Sequence, residues 1–188
     1  ETSNNAAEHQ LLLAVRAGGH NVAIHSLVDA GLVIDLTSMN AVRVDAARRV
    51  AYVQGGATWG DVDRETQLYG LATPGGVVTT TGVAGLTLGG GIGWLRGKFG
   101  LSCDALLAAE VVTASGEVVR ASATEHPDLF WALRGGGGNF GVVTEFEFSL
   151  YEVPSTLFGA VVAYPLDQAR EVYRAWREWV KNVPDEVT

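Results

Sequence analysis

The chain has 188 residues, 47% of them hydrophobic and 18% charged, with a formal net charge of -8. That is enough apolar sequence to bury a core, and an acidic balance without clustered Lys or Arg argues against a nucleic-acid or anionic-membrane surface. No apolar run approaches the roughly 20 residues that span a bilayer, and the single cysteine, Cys103, excludes an intramolecular disulfide and points to a reducing, cytoplasmic setting. Because the chain opens at Glu1 without a methionine, the lack of a secretion signal carries no weight.

In chain order, residues 1–10 read as the end of a helix leading into a strand over 12–16. Further strands are expected at 32–36, 41–44, 50–54, 108–113, 118–121 and 142–148. In the last of these, Thr144, Phe146 and Phe148 alternate against Val143, Glu145 and Glu147. A helix over 59–69 opens at Thr58 with Asp61 three residues on, a capping box that uses Asp in place of Glu. Gly116 reads as a hairpin turn, and a short helix follows Pro127 and Asp128, with Phe130 and Trp131 as its core residues. Residues 157–163 alternate too little for a half-exposed strand and suit a buried one. Over 167–182, Ala169, Val172, Tyr173, Trp176, Trp179 and Val180 share one helical face, opposite Arg170, Arg174, Arg177 and Glu178, the pattern of a helix packing on a sheet. The class is α+β, without internal repeats, and one boundary near Pro154 divides 1–153 from 154–188.

Two stretches carry chemistry. Arg16-Ala17-Gly18-Gly19-His20-Asn21 is a tight turn after the apolar run 11–15, where backbone N–H groups and two glycines let an anion approach closely. His20 puts a reactive imidazole where a phosphate-cradling loop needs only small residues, so it looks like an attachment point. Residues 73–95 combine many glycines with Thr79, Thr80 and Thr81 yet remain mostly apolar, a poor strand or helix that reads as backbone wrapped around something flat and buried. Other motif readings fail on context. Residues 136–141 match the letter of G-x-G-x-x-G but follow a helix and open a strand, the reverse of a dinucleotide fingerprint. Gly97 and Lys98 are followed by Phe99, and Ile92 stands where a P-loop needs glycine. His9, His25 and His126 show no ligand spacing with one another or with Cys103, so no metal site is expected.

Four motifs in order, over 16–21, 55–62, 74–94 and 128–144, resemble the flavin-binding domain of the vanillyl-alcohol oxidase and p-cresol methylhydroxylase superfamily, in its berberine-bridge-enzyme-like and hydroxynicotine-oxidase-like branch. A Gly-Gly-His alone reads better as an ordinary loop whose histidine hydrogen-bonds its neighbours; the three companion motifs reverse that in favour of the resemblance. It implies a domain of two α+β subdomains, followed from 154 by the first strand and helix of a substrate-binding domain. It also implies a fragment, since the family has a strand and most of a helix before this point and further substrate-domain sequence after it. The cofactor implied is FAD, bonded covalently to His20, with the pyrophosphate on the turn of Arg16, Ala17, Gly18, Gly19 and Asn21. Gly75, Thr80, Thr81, Gly82, Gly85, Leu86, Gly91 and Val142 are the further expected contacts, Gly82 and Gly85 meeting the phosphate or ring edge. Some members add a cysteinyl bond; the matching position is Val78, so a single link is expected. His25 departs from the small residues and glycine that relatives carry between Val22 and Asp29, and Trp94 either packs the core or flanks the isoalloxazine.

The resemblance implies hydride transfer from an alcohol, sugar or amine-type small molecule to FAD, then to oxygen or another acceptor. No catalytic base is named, because the family draws it from later sequence. The alternatives are a non-catalytic flavin-binding module and, more weakly, a nicotinamide-dependent dehydrogenase.

Overall fold

A computed structural model describes residues 8–188, so the expected helix over 1–10 lies mostly outside the described residues, and 9–10 form a turn. The first two strands, β1 (Leu13–Arg16) and β2 (Leu32–Asp35), form a parallel pair, Leu13 opposite Leu32 and Arg16 opposite Asp35. The remaining large strands make one antiparallel sheet in the order β3-β4-β8-β6-β7, built from β3 (Val42–Asp45), β4 (Val50–Gln54), β6 (Leu106–Val112), β7 (Val118–Ser122) and β8 (Val142–Ser149). Two short strands missed in the sequence, β5 (Leu71–Ala72) and β9 (Tyr151–Glu152), pair beside it. This is the expected α+β fold.

The core sits on one face of the large sheet. Ala51, Val53, Phe146 and Phe148 meet Trp59 and Val62 of α1 (Trp59–Thr66), Val83 and Leu88 of α2 (Val83–Leu88), and Phe130 and Leu133 of α4 (Pro127–Leu133). Trp59 and Phe148 approach to 6.0 Å between ring centroids with planes tilted by 56°, and each fully buried side chain of this size contributes about 2–3 kcal/mol. α1 forms where the capping box said it would. Thr58 N donates to Asp61 Oδ2 at 2.9 Å, and Asp61 N donates to Thr58 Oγ1 at 3.4 Å.

Several expectations are corrected. Val143 is buried rather than outward, because pairing steps from Glu110 opposite Glu145 to Val111 opposite Val143 and leaves Thr144 as a bulge. A bulge reverses the alternation on one side of it, so the start of β8 turns inward. Trp131 is 75% exposed, since one helical step of about 100° from the buried Phe130 points it outward. The glycine stretch holds one helix, α2, and a second, α3 (Arg96–Phe99), follows it directly. Residues 157–163 form no strand and are exposed: no strand among the described residues offers them a ladder. α5 (Ala169–Trp179) forms on the expected residues, but among the described residues no sheet covers it and none of its side chains is buried.

Candidate functional site

β1 ends in the turn Ala17-Gly18-Gly19-His20-Asn21. Gly19 adopts φ of 70°, a left-handed conformation that strains any side chain. Gly18 is needed for another reason. It lies backbone to backbone against Gly82, where a Cβ on Gly82 would stand 2.5 Å from Gly18 N. The loop carrying Gly82 is itself anchored to the start of α1. Trp59 N donates to Thr81 O at 3.0 Å, Gly60 N to Thr79 O at 2.8 Å, and Val83 N to Ala57 O at 2.9 Å.

This frame brings the threonine hydroxyls to His20. Nε2 lies 3.0 Å from Thr80 Oγ1 and Nδ1 lies 3.3 Å from Thr81 Oγ1. The amides of Gly18, Gly19 and His20 donate to no protein acceptor among the described residues, which leaves three free donors in one glycine turn for an anion. At its edge Arg16 Nη1 stands 3.6 Å from Asp35 Oδ2. Hydrogen bonds from the Thr37 hydroxyl and amide hold the Asp35 carboxyl below the ordinary carboxylate range, with Arg16 adding attraction.

The turn opens on a cavity of about 870 Å³, at the upper end of the roughly 300–1,000 Å³ of ligand pockets. Ala17, Gly18, Gly19, His20 and Asn21 line it, with Thr81, Gly82, Gly85, Leu86 and Val142. Thr80 does not line it and touches only the far nitrogen of His20. Gly75 and Gly91 do not reach the cavity. A Cβ on Gly75 would stand 2.6 Å from Trp59 Cε3, and one on Gly91 2.6 Å from Ser102 Cβ, so their small size serves packing. Trp94 is 61% exposed and is not a core residue. Gly137, Gly138 and Asn139, together with His25 and Ser26, also line it. Sequence reasoning gave these five no cofactor contact, although the glycines and Asn139 lie inside the fourth motif and could have been taken from it.

The size of the cavity and the free amides at its mouth suit an organic cofactor that carries a phosphate. At Gly85 and Gly138 no heavy atom lies within 4 Å of a Cβ position, so bare backbone faces open space there. Among the described residues no cluster of His, Cys, Asp or Glu is built to hold a metal. Fold and cavity together define a binding domain for a phosphate-bearing organic cofactor beside an imidazole.

Comparison with known proteins agrees. Residues 1–122 match the family model described as an FAD binding domain. The chain is 43% identical over 159 residues to (R)-6-hydroxynicotine oxidase of Paenarthrobacter nicotinovorans, covering 85% of this chain and 35% of that protein. It is 37% identical over 192 residues to xylooligosaccharide oxidase of Thermothelomyces thermophilus, covering 97% of this chain and 38% of that protein. Among solved structures, 6-hydroxy-D-nicotine oxidase from Arthrobacter nicotinovorans superposes with a TM-score of 0.92 at 38% identity, over 98% of this chain and 41% of the other. A BBE-like protein from Arabidopsis thaliana gives 0.87 at 34% identity, over 97% and 39%. The chain belongs to the FAD-linked oxidoreductases of the vanillyl-alcohol oxidase and p-cresol methylhydroxylase superfamily. It spans well under half the length of these relatives.

Proposed function

We propose that this chain is the FAD-holding part of an oxidoreductase that takes hydride from an alcohol, sugar or amine-type carbon and passes the electrons to oxygen or another acceptor. FAD would be bonded covalently through His20. The observation that carries this reading is the convergence of three free amides, a backbone-lined cavity and one imidazole at its rim. FAD, when bound, supplies the hydride acceptor. The protein's part is to bind and orient. The amides of Gly18, Gly19 and His20 suit the pyrophosphate, Gly85 and Gly138 leave room for the cofactor against backbone, and Leu86, Val142 and Val143 offer an apolar, water-excluding wall. The named relatives include oxidases of a hydroxynicotine and of oligosaccharides, and the substrate proposed here is a small molecule of that range.

The test is acid precipitation of FAD-loaded protein. Wild type should carry yellow colour into the pellet. His20→Ala should release its flavin into the supernatant while still binding FAD reversibly, since the phosphate contacts come from backbone. Acid-stable flavin on the His20→Ala variant would overturn the assignment.

A further inference from the structure

We propose that Thr80 and Thr81 are positioning residues with separate tasks toward His20: Thr80 fixes the imidazole tautomer, and Thr81 holds the reacting nitrogen loosely until the cofactor arrives. The inference rests on the reading of His20 as the flavin anchor.

A neutral imidazole has one N–H and one lone pair. The two hydroxyls therefore cannot play the same part. Thr80 Oγ1 at 3.0 Å from Nε2 lies inside the usual 2.7–3.2 Å of an N–H···O bond, whereas Thr81 Oγ1 at 3.3 Å from Nδ1 lies beyond it. Hydroxyls both donate and accept, so either tautomer satisfies these distances; we place the proton on Nε2, donating to the nearer Thr80, and leave the Nδ1 lone pair to accept from the Thr81 hydroxyl. The cavity supports the same division: Thr81 lines it and Thr80 does not, so Nδ1 is the nitrogen on the cavity side. Neither threonine is free to drift. The carbonyls of Thr79 and Thr81 accept from the first amides of α1, and Gly82 is pinned against Gly18, two residues before His20.

On the anchor reading, the bond would join Nδ1 to the 8α carbon of the flavin. That carbon would lose a proton, the imidazole would give up its Nε2 proton by way of the Thr80 hydroxyl to solvent, and the two electrons released would pass through the flavin to dioxygen, which with two protons becomes hydrogen peroxide. A proton on Nδ1 would block the step. Fixing the tautomer is therefore worth as much as placing the ring.

The test uses the full chain labelled with ¹⁵N in its histidine rings, the His20 signals being assigned by their loss in the His20→Ala variant. Wild type should show the Nε2–H tautomer without FAD. In Thr80→Val the Nε2–H loses its acceptor while Thr81 Oγ1 is able to accept from an Nδ1–H, so the share of the Nε2–H tautomer should fall, and acid-stable flavin should form at least about tenfold more slowly on incubation with FAD and air. Thr80→Ser should restore both. Thr81→Val should keep the Nε2–H tautomer. A wild-type tautomer and attachment rate in Thr80→Val would overturn the proposal. If wild type formed no acid-stable flavin, the anchor reading would fail, and the ring signals of the cofactor-free chain would still decide the role of Thr80.

Discussion

At the scale of single residues, glycines that look alike in the sequence do different work. Gly82 is buried against the backbone of Gly18, while Gly85, three residues on, faces open cavity with nothing near its Cβ position. Gly82→Val therefore forces apart two anchored loops and should destabilise the protein by several kcal/mol, in line with overpacking at a rigid contact. Gly85→Val should leave folding stability within about 1 kcal/mol of wild type, because valine is no worse than glycine in a helix, yet should empty the site of FAD. Urea denaturation of the cofactor-free proteins alongside flavin absorbance separates the two effects. Full FAD occupancy in Gly85→Val, or wild-type stability in Gly82→Val, would contradict this account. A second residue-scale prediction concerns Ile24, a β-branched side chain held at φ of 61°, where left-handed backbone costs about 1–2 kcal/mol. Its side chain is largely exposed, so Ile24→Gly should lose little burial and raise the unfolding midpoint, by up to about 1 kcal/mol in stability. A lowered midpoint would show that the loop depends on the isoleucine side chain.

At the scale of elements, the cap of α1 ties stability to pH. Burial pushes the Asp61 carboxyl up, but hydrogen bonds from the Thr58 amide and hydroxyl, together with Arg64, outweigh it and hold the group below its ordinary value of 3.8. A carboxyl depressed in the folded state stabilises fully above the unfolded pKa, and that contribution is lost as pH falls through the folded value. Thr58→Ala should cost about 1 kcal/mol at neutral pH, and the deficit should shrink as pH drops well below 3.8. A deficit that stayed constant from neutral pH to pH 2 would rule out the ionised cap as its source. Such local devices were legible in the sequence because Thr58, Asp61 and the helix they start lie within a few residues. What the sequence hid depends on distant partners. The bulge at Thr144 exists only in the pairing of β8 with β6, and α2 forms in a glycine-rich stretch of poor propensity because Ala57 and the start of α1 hold its entry. Residues 157–163 have the apolar content of a buried strand, yet apolar content makes a strand only where another strand can pair with it.

At the scale of the whole molecule, the glycine turn and His20 were readable because their residue types are unusual, whereas the wall of Gly137, Gly138 and Asn139 is brought to the cavity only by the return of the chain into β8. The same large-scale view exposes an imbalance of surface. Phe158, Val161, Leu166, Tyr173, Trp176 and Trp179 are all exposed, and among the described residues nothing covers the apolar face of α5. So much apolar surface in one C-terminal stretch favours association, and a formal charge of -8 spread over the chain opposes it only at long range. The 188-residue chain should therefore self-associate, its weight-average sedimentation coefficient rising with protein concentration, and added salt should strengthen the effect by screening the repulsion. Converting Tyr173 and Trp176 to Glu puts charge into the centre of that face while changing no residue of the cavity. The double variant should sediment as a monomer across the same range and retain the FAD content of the parent chain. A parent chain that remained monomeric at high concentration and high salt would show that this surface is too weak or too discontinuous to associate.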